Sequence, residues 1–147
     1  MDAIDDHILR ELERDGRVTN LELAERIGLS PSACLRRVQA LETAGVIKGY
    51  RAILDRTQLG VGLTVFVMVG LSGQLQRDAR AFEAAMAKAP EVLECHNITG
   101  SVEYLLRVEV SDLSAYKHFH SDVLGTLSQV RSITSHVSLG SSKDLRA

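Results

Sequence analysis

The sequence contains few cysteines and no long run of apolar residues. Its 147 residues include two cysteines, Cys34 and Cys95, each inside an apolar segment, a pattern typical of buried free thiols in a reducing compartment. The longest apolar run, residues 63–71, is too short to cross a bilayer. The acidic N-terminus has no apolar region of the kind found in a signal peptide. We therefore expect a soluble cytoplasmic protein that does not associate with membranes.

Charge of one sign is not in large excess either. The formal net charge of −2 argues against a protein that coats nucleic acid through bulk charge, so any DNA contact would need a local basic face. Residues 1–25 carry three arginines and eight acidic residues, whereas residues 26–56 carry six basic residues and two acidic ones. Positive charge is therefore concentrated in one segment. An ordinary solvated face is the alternative explanation of that pattern.

Residue patterns that carry catalysis or bind metals are missing. His118 and His120 are two positions apart on a predicted helix and diverge, which makes them a poor metal pair. No Ser/His/Asp set, CxxC pair or glycine-rich phosphate loop stands out. The sequence thus predicts no catalytic residue, no metal site and no cofactor, and we expect that the protein is not an enzyme.

The first 54 residues are predicted to be mainly helical. Apolar residues at helical spacing indicate a first helix that ends at Asp15-Gly16 and a second that ends at Gly28. A third helix begins at Ser30-Pro31, with serine as the N-cap and proline in the first helical position, and it ends at Gly45. Residues 46–54 alternate in a way that favours a strand or a small hairpin wing. The pattern predicts a winged helix-turn-helix domain over residues 1–54.

The second half alternates strands and helices after a predicted hinge at residues 55–62. Strands are predicted at 63–71, 92–98, 104–110 and 130–139, and helices at 77–89 and 112–124. This βαββαβ order is typical of an α+β, ferredoxin-like domain, here residues 63–147, with an antiparallel sheet and both helices on one face. The first strand has apolar residues on both faces. Because the helices cover one face only, we expect a homodimer.

The third helix carries the candidate DNA-reading residues. If Cys34, Val38 and Leu41 point inward, a polar stripe falls on the opposite side, and its leading turns would enter the major groove. Arg36 could bind a guanine edge with two hydrogen bonds, and Gln39 an adenine or a phosphate. Arg37 lies beside the packed stripe and suits either an internal salt bridge or a phosphate contact. The predicted DNA-contacting residues are Ser30, Ser32, Ala33, Arg36, Arg37, Gln39, Lys48 and Arg51.

Several motifs together resemble the Lrp/AsnC family of bacterial and archaeal regulators. They are Asp15-Gly16-Arg17, residues 28–32 (GLSPS), Arg36-Arg37-Val38, Gly45-Val46-Ile47 and residues 104–108 (YLLRV). The resemblance covers nearly the whole chain. It implies a C-terminal half that binds amino acids or related metabolites, and dimers that often assemble into octamers.

The resemblance also implies where an effector would bind. The family's site lies around a Gly-x-x-Asp turn between the second and third strands of the ferredoxin-like half. Here that turn reads Gly100-Ser101-Val102-Glu103, so glutamate replaces the usual aspartate. Turn amides near Gly100 could hold an α-carboxylate while Glu103 faces an α-ammonium group; a purely structural turn is the alternative. The candidate effector-binding residues are Ile98, Thr99, Gly100, Ser101, Glu103 and Tyr104.

We therefore expect a sequence-specific DNA-binding transcriptional regulator that responds to an amino acid or a related metabolite. The competing hypothesis is an architectural protein that binds DNA with little sequence preference and has no effector. Comparison of its binding to specific and to random DNA would separate the two.

Overall fold

The structure is a computed structural model that describes residues 1–73 and 75–145. The chain divides into two compact units, one spanning Met1–Ile53 and a second that begins at Leu54. Within the described ranges, no helix is long and apolar enough to cross a membrane. Residues 74, 146 and 147 of the predicted second domain lie outside the described residues. The division of the chain into residues 1–54, 55–62 and 63–147 stays a prediction.

The first unit is built from three helices, as the sequence predicts. They are α1 (Ala3–Arg14), α2 (Asn20–Ile27) and α3 (Pro31–Thr43). Each begins after a residue whose side chain accepts a hydrogen bond from the first turn, namely Asp2, Thr19 and Ser30. One apolar cluster joins the three helices, and its buried members are Ile8, Leu23, Ala24, Cys34 and Leu41. Burial of Cys34 raises the pKa of its thiol.

The turn between α2 and α3 depends on a glycine. Gly28 has a φ of 73°, in the left-handed region, and the amide of the next residue, Leu29, donates to the carbonyl of Ala24 at 2.9 Å. This geometry ends α2 and lets the chain enter α3 after only three residues. A side chain at this position would meet the backbone strain that glycine avoids.

A single guanidinium ties α3 to the start of α1. Asp2 and Asp5 form a capping box in which each carboxylate uses one oxygen to accept a hydrogen bond from the other residue's backbone amide, at 3.0 Å. The second oxygen of each carboxylate accepts a hydrogen bond from Nη1 of Arg37, at 2.8 Å in both cases. The cap of one helix therefore also anchors the middle of another.

The prediction of a strand over residues 46–54 is wrong. These residues form neither helix nor strand. An alternating pattern makes a strand only where a neighbouring strand can pair with it, and Gly49, with a φ of 155°, lies in the middle of the segment. Tyr50 instead turns back toward α3, and its hydroxyl donates to Glu42 Oε1 at 2.9 Å.

The second unit is the predicted ferredoxin-like arrangement. Its strands are β1 (Leu63–Leu71), β2 (Val92–Asn97), β3 (Tyr104–Val110) and β4 (Val130–Val137), and its helices are α4 (Gln76–Lys88) and α5 (Leu113–His118). The sheet has the order β2-β3-β1-β4, and each neighbouring pair is antiparallel. The same face of β1 packs with both helices, since Val65, Val67 and Val69 share one core with Phe82 and Tyr116.

The last helix differs from its prediction. After α5 the chain continues as a π-helix, Phe119–Leu124, in which the amide of Gly125 donates to the carbonyl of His120. In an α-helix, side chains five positions apart point about 140° away from each other. The wider π-turn brings Phe119 and Leu124 onto the same side, and both are buried in the core. The other predicted elements are correct to within one or two residues at their ends.

We predict that Gly28→Ala destabilises the first unit by about 1–2 kcal/mol. In the left-handed region the β-carbon of alanine comes too close to the backbone, and glycine has no β-carbon. The measurement is the urea-induced unfolding of the full chain, followed by circular dichroism. Gly16→Ala is the matched control. A β-carbon there would lie 3.6 Å from a ring carbon of Tyr50, an ordinary contact, and the backbone has no positive φ. Equal effects of the two substitutions would contradict the prediction.

We also predict that the Asp2–Asp5–Arg37 link weakens in acid. Hydrogen bonds from the capping box, followed by those from Arg37, lower the pKa values of both aspartates. A carboxyl whose pKa is lowered by folding stabilises the native state above its unfolded pKa, about 3.9, and this contribution is lost as the pH falls through the folded pKa. Asp5→Asn should therefore reduce stability at pH 7, and the difference from the unsubstituted chain should disappear at low pH.

The measurement is the urea midpoint as a function of pH. Asp6→Asn removes an exposed carboxylate from the same helical turn and controls for the change in net charge. A difference between Asp5→Asn and the unsubstituted chain that persisted unchanged into strong acid would contradict the prediction, since it would show that the effect does not depend on the carboxylate charge.

Candidate DNA interface and effector cavity

The leading turn of α3 is held by its cap and by α2. Ser30 Oγ accepts a hydrogen bond from the amide of Ala33 at 3.3 Å, and Pro31 occupies the first helical turn. Asn20, at the start of α2, donates through Nδ2 to the carbonyl oxygen of Pro31 at 2.8 Å. This contact was not predicted, because nothing in the sequence links residues 20 and 31. It fixes the entry of α3 against the preceding helix.

The helix then presents the predicted polar stripe to solvent. Ser32, Arg36 and Gln39 are exposed, whereas Cys34 and Leu41 are buried and Ala33 is half-buried. Arg36 thus occupies an exposed face within the second turn of the helix. Whether these residues contact DNA stays a prediction. Their exposure is what a major-groove contact requires.

Arg37 takes the first of its two predicted alternatives, the internal salt bridge. Its guanidinium bonds to Asp2 and Asp5, which raises its pKa, and the side chain keeps 32% of its exposure. A guanidinium held by two carboxylates offers little net charge to a phosphate. The structure therefore gives Arg37 a positioning contact with α1 rather than membership of the exposed stripe.

Lys48 and Arg51 lie in the segment after α3 that lacks the predicted strand. Both residues are exposed. Whether Lys48 and Arg51 contact DNA phosphates stays a prediction, and their charge and exposure are what such contacts require.

The candidate effector turn connects β2 to β3. The amide of Ile98 donates to the carbonyl of Glu103 at 2.9 Å and closes the turn. Gly100 has a φ of 121°, which favours glycine. Thr99, Gly100 and Ser101 are exposed, whereas Tyr104 is buried.

Part of this turn borders a cavity of about 300 Å³. Three predicted effector residues, Ile98, Glu103 and Tyr104, line the cavity, and Thr99, Gly100 and Ser101 do not. The sequence analysis missed the remaining lining residues, which are Leu71, Gly73, Leu75, Ala79 and Asn97. The predicted antiparallel topology could have identified some of these residues. It places the end of β1 beside the start of β3, and Val69 indeed pairs with Tyr104.

One oxygen of the Glu103 carboxylate is already hydrogen-bonded within the cavity. Its Oε2 accepts a hydrogen bond from the amide of Leu71 at 2.7 Å. The hydroxyl of Tyr104 donates to Glu83 Oε1 at 2.6 Å, and burial, reinforced by Glu83, raises the pKa of that hydroxyl. The cavity thus combines one carboxylate with the apolar side chains of Leu75 and Ile98. Such a mixture suits a small zwitterion with an apolar side chain.

Within residues 1–73 and 75–145, acidic, histidine and cysteine side chains do not converge in a way that suits a metal. Among the described residues, no group of three or more such side chains could hold a metal ion. Cys34 and Cys95 are free thiols that lie in different units.

Both units match known protein families. Residues 1–48 match the model of a winged helix-turn-helix DNA-binding domain, and residues 64–147 match that of the Lrp/AsnC ligand binding domain. A leucine-responsive regulatory protein from Rhizobium meliloti is 43% identical over 144 residues, covering 98% of this chain and 92% of its own. The protein of the same name from Escherichia coli K12 is 41% identical over 137 residues, covering 93% and 84%.

Solved structures agree with the sequence comparisons. A transcriptional regulator from Neisseria meningitidis, solved as a complex with L-methionine, superposes with a TM-score of 0.94 at 38% identity, covering 98% of this chain and 93% of that one. AsnC from Escherichia coli superposes with a TM-score of 0.89 at 26% identity, covering 98% and 95%. The chain therefore belongs to the Lrp/AsnC family of transcriptional regulators.

Proposed function

We propose that this regulator reads DNA through the exposed stripe of α3 and binds an amino acid in the cavity between β1 and the β2–β3 turn. The observation that carries the DNA-reading role is the stripe itself. Ser32, Arg36 and Gln39 are exposed on a helix whose start is fixed by its cap and by Asn20. Of the predicted contacts, Arg36 is the residue we assign to base recognition, and we place Ser30 and Ala33 near the DNA backbone.

A second copy of the chain is part of the proposal. Phe66 and Met68 of β1 and Leu105 of β3 lie on the sheet face opposite the helices, and they are only half-buried in the single chain. A partner that covers this face would bury them. Two copies would present two α3 helices to successive major-groove turns about 34 Å apart, on a roughly palindromic site.

The cavity beside Glu103 is the proposed effector site. The Neisseria relative was solved with L-methionine, and the apolar lining of this cavity by Leu71, Leu75 and Ile98 suits a side chain of that kind. We assign the α-ammonium group of the effector to Glu103. We assign its α-carboxylate to amides of the turn around Gly100, with Thr99 and Ser101 at the mouth of the site.

This function requires no catalytic residue, cofactor or metal. We propose that the protein acts as a regulator and not as an enzyme, in the cytoplasm where its DNA lies. Effector binding would shift the DNA affinity or the state of assembly, including assembly of dimers into octamers, by no more than its differential affinity for the states involved. Conversion of an amino acid by the purified protein would contradict the non-enzymatic part.

We predict that Arg36→Ala weakens specific DNA binding by about 1–3 kcal/mol, because a bidentate contact to a guanine edge is lost. The measurement is fluorescence anisotropy with the gene's own upstream DNA and with random DNA of equal length, at several salt concentrations. Arg80→Ala removes the same charge from an exposed position on α4 and should leave affinity unchanged. Equal binding of the unsubstituted protein to both DNAs would favour the architectural alternative.

We predict that Phe66→Arg separates the dimer, because a charge would be placed on the half-buried face of β1. Analytical ultracentrifugation should show a dimer for the unsubstituted protein and a monomer for the variant. The circular dichroism spectrum of the variant should match that of the unsubstituted protein, since Phe66 lies outside the core that joins the sheet to its helices. An unsubstituted protein that sediments as a monomer would refute the proposed interface.

We predict that L-methionine or another apolar amino acid binds with measurable heat, and that Glu103→Gln weakens this binding by about 1.5–3 kcal/mol. Glutamine can still accept the hydrogen bond from the amide of Leu71 but loses the charge that faces the ammonium group. Calorimetry against the twenty amino acids is the measurement. Glu91→Gln, outside the cavity, is the control. Absence of heat with all twenty would count against an effector in this cavity.

A further inference from the structure

A leucine lies among the polar residues of the exposed stripe of α3. Leu35 is 46% exposed. Among the described residues, α3 contributes to the apolar cluster of the first unit through Cys34, Val38 and Leu41, and Leu35 lies outside that cluster. A single exposed leucine is common on protein surfaces. The meaning of this one therefore depends on what surrounds it.

Helix geometry places Leu35 within the surface that would face DNA. Successive residues of an α-helix turn by about 100°, so Leu35 lies about 60° from Ser32 and about 40° from Gln39 around the axis. These residues are three and four positions away, which makes them neighbours of Leu35 on the helix surface. Both are exposed. A groove that receives Ser32 and Gln39 therefore also receives the leucine between them.

The backbone of Leu35 is held next to the contact between α2 and α3. The carbonyl oxygen of Pro31 accepts the hydrogen bond from Asn20 Nδ2 at 2.8 Å. In α-helix geometry the same oxygen is the acceptor for the amide four residues further on, which is that of Leu35. Two positions beyond Leu35, Arg37 is bonded to Asp5 of α1. The side chain of Leu35 thus projects from a fixed place on the helix.

The charge around Leu35 favours DNA over a protein as its partner. Residues 26–56 carry six basic residues and two acidic ones, and the exposed Arg36 follows Leu35 directly. A protein that covered the leucine with an apolar pocket would also desolvate this neighbouring guanidinium, which is costly without a paired charge. Phosphates and base edges provide acceptors for the guanidinium at the same surface.

The chemistry of the major groove leaves one partner for a leucine. The base edges there present hydrogen-bond donors and acceptors, and the one apolar group among them is the C5-methyl group of thymine. Against any other base, Leu35 would displace water from polar atoms without replacing the lost hydrogen bonds. Against thymine, the two apolar groups bury each other's surface, which is favourable.

We propose that Leu35 reads a thymine by contact with its C5-methyl group, beside the guanine assigned to Arg36. The proposal rests on the proposed role of α3 in DNA binding and names a second base that the helix selects. The Cα atoms of adjacent residues are about 3.8 Å apart, close to the base-pair step of about 3.4 Å. The thymine therefore lies within about one or two base pairs of that guanine in each half-site.

The test removes the methyl group from the DNA and the leucine from the protein. The gene's own upstream DNA is synthesised with deoxyuridine in place of every thymidine, because uracil pairs as thymine does and lacks only the methyl group. In fluorescence anisotropy, the unsubstituted chain should bind the uracil DNA about three- to tenfold more weakly than the thymine DNA. Leu35→Ala should lose most of this difference. Leu35→Met, which keeps a long apolar side chain, should retain it.

Leu21→Ala is the matched control, because Leu21 is 59% exposed but lies on α2. This variant should discriminate between the two DNAs as the unsubstituted chain does. Equal binding of both DNAs by the unsubstituted chain would overturn the proposal, and so would full discrimination by Leu35→Ala. Sedimentation of Leu35→Ala as a smaller species than the unsubstituted chain would overturn it too, since the leucine would then contact a second copy.

Failure of the thymine contact is distinguishable from failure of the proposed function. If Arg36→Ala weakens binding to the upstream DNA while the effect of uracil does not depend on Leu35, α3 reads DNA and only the thymine contact is wrong. If the unsubstituted chain binds upstream and random DNA alike, the reading role of α3 fails, and the thymine contact fails with it.

Discussion

The guanidinium of Arg37 joins the cap of α1 to the middle of α3, and the exposed stripe depends on that link. A helix packed only through Cys34 and Leu41 could rotate, since apolar contacts have little directional preference. Two charge-assisted hydrogen bonds at 2.8 Å are directional and fix the helix about its own axis. The residue that orients the stripe is thus the immediate neighbour of Arg36, the residue assigned to read the DNA. Adjacent arginines on one helix have different tasks because their side chains point about 100° apart around the helix axis.

In the second unit, the corresponding constraint is the antiparallel pairing of β1 with β3. It places the end of β1 beside the β2–β3 turn, where the cavity with Glu103 lies, and the start of β1 beside Arg107 and Glu109. The cavity with Glu103 and the residues Arg107 and Glu109 are therefore at opposite ends of one strand pair. Helices α4 and α5 cover only one face of the sheet, which leaves charged and apolar groups together on the other.

The sequence predicted what local chemistry determines. Caps such as Ser30-Pro31, the glycine turn at Gly28 and the βαββαβ order each follow from short-range patterns, and the structure has all of them. The prediction of a strand over residues 46–54 failed because a strand needs a neighbouring strand to pair with, and alternation within one segment cannot reveal whether such a neighbour exists. The π-helix escaped prediction because burial of both Phe119 and Leu124 depends on the core around them. The choice between two roles for Arg37 required knowledge of which acids lie across the fold.

The resemblance implies an aspartate at position 103, and the structure shows what the longer glutamate contacts there. An extra methylene extends the carboxylate, and Oε2 reaches the amide of Leu71 at the end of β1. That hydrogen bond restrains a side chain that would otherwise have more rotamers than aspartate, and it leaves one carboxylate oxygen for a ligand. A carboxylate that is already held loses less side-chain entropy when it binds a cation. The longer residue is thus compatible with ammonium recognition, because the Leu71 amide holds its carboxylate in place.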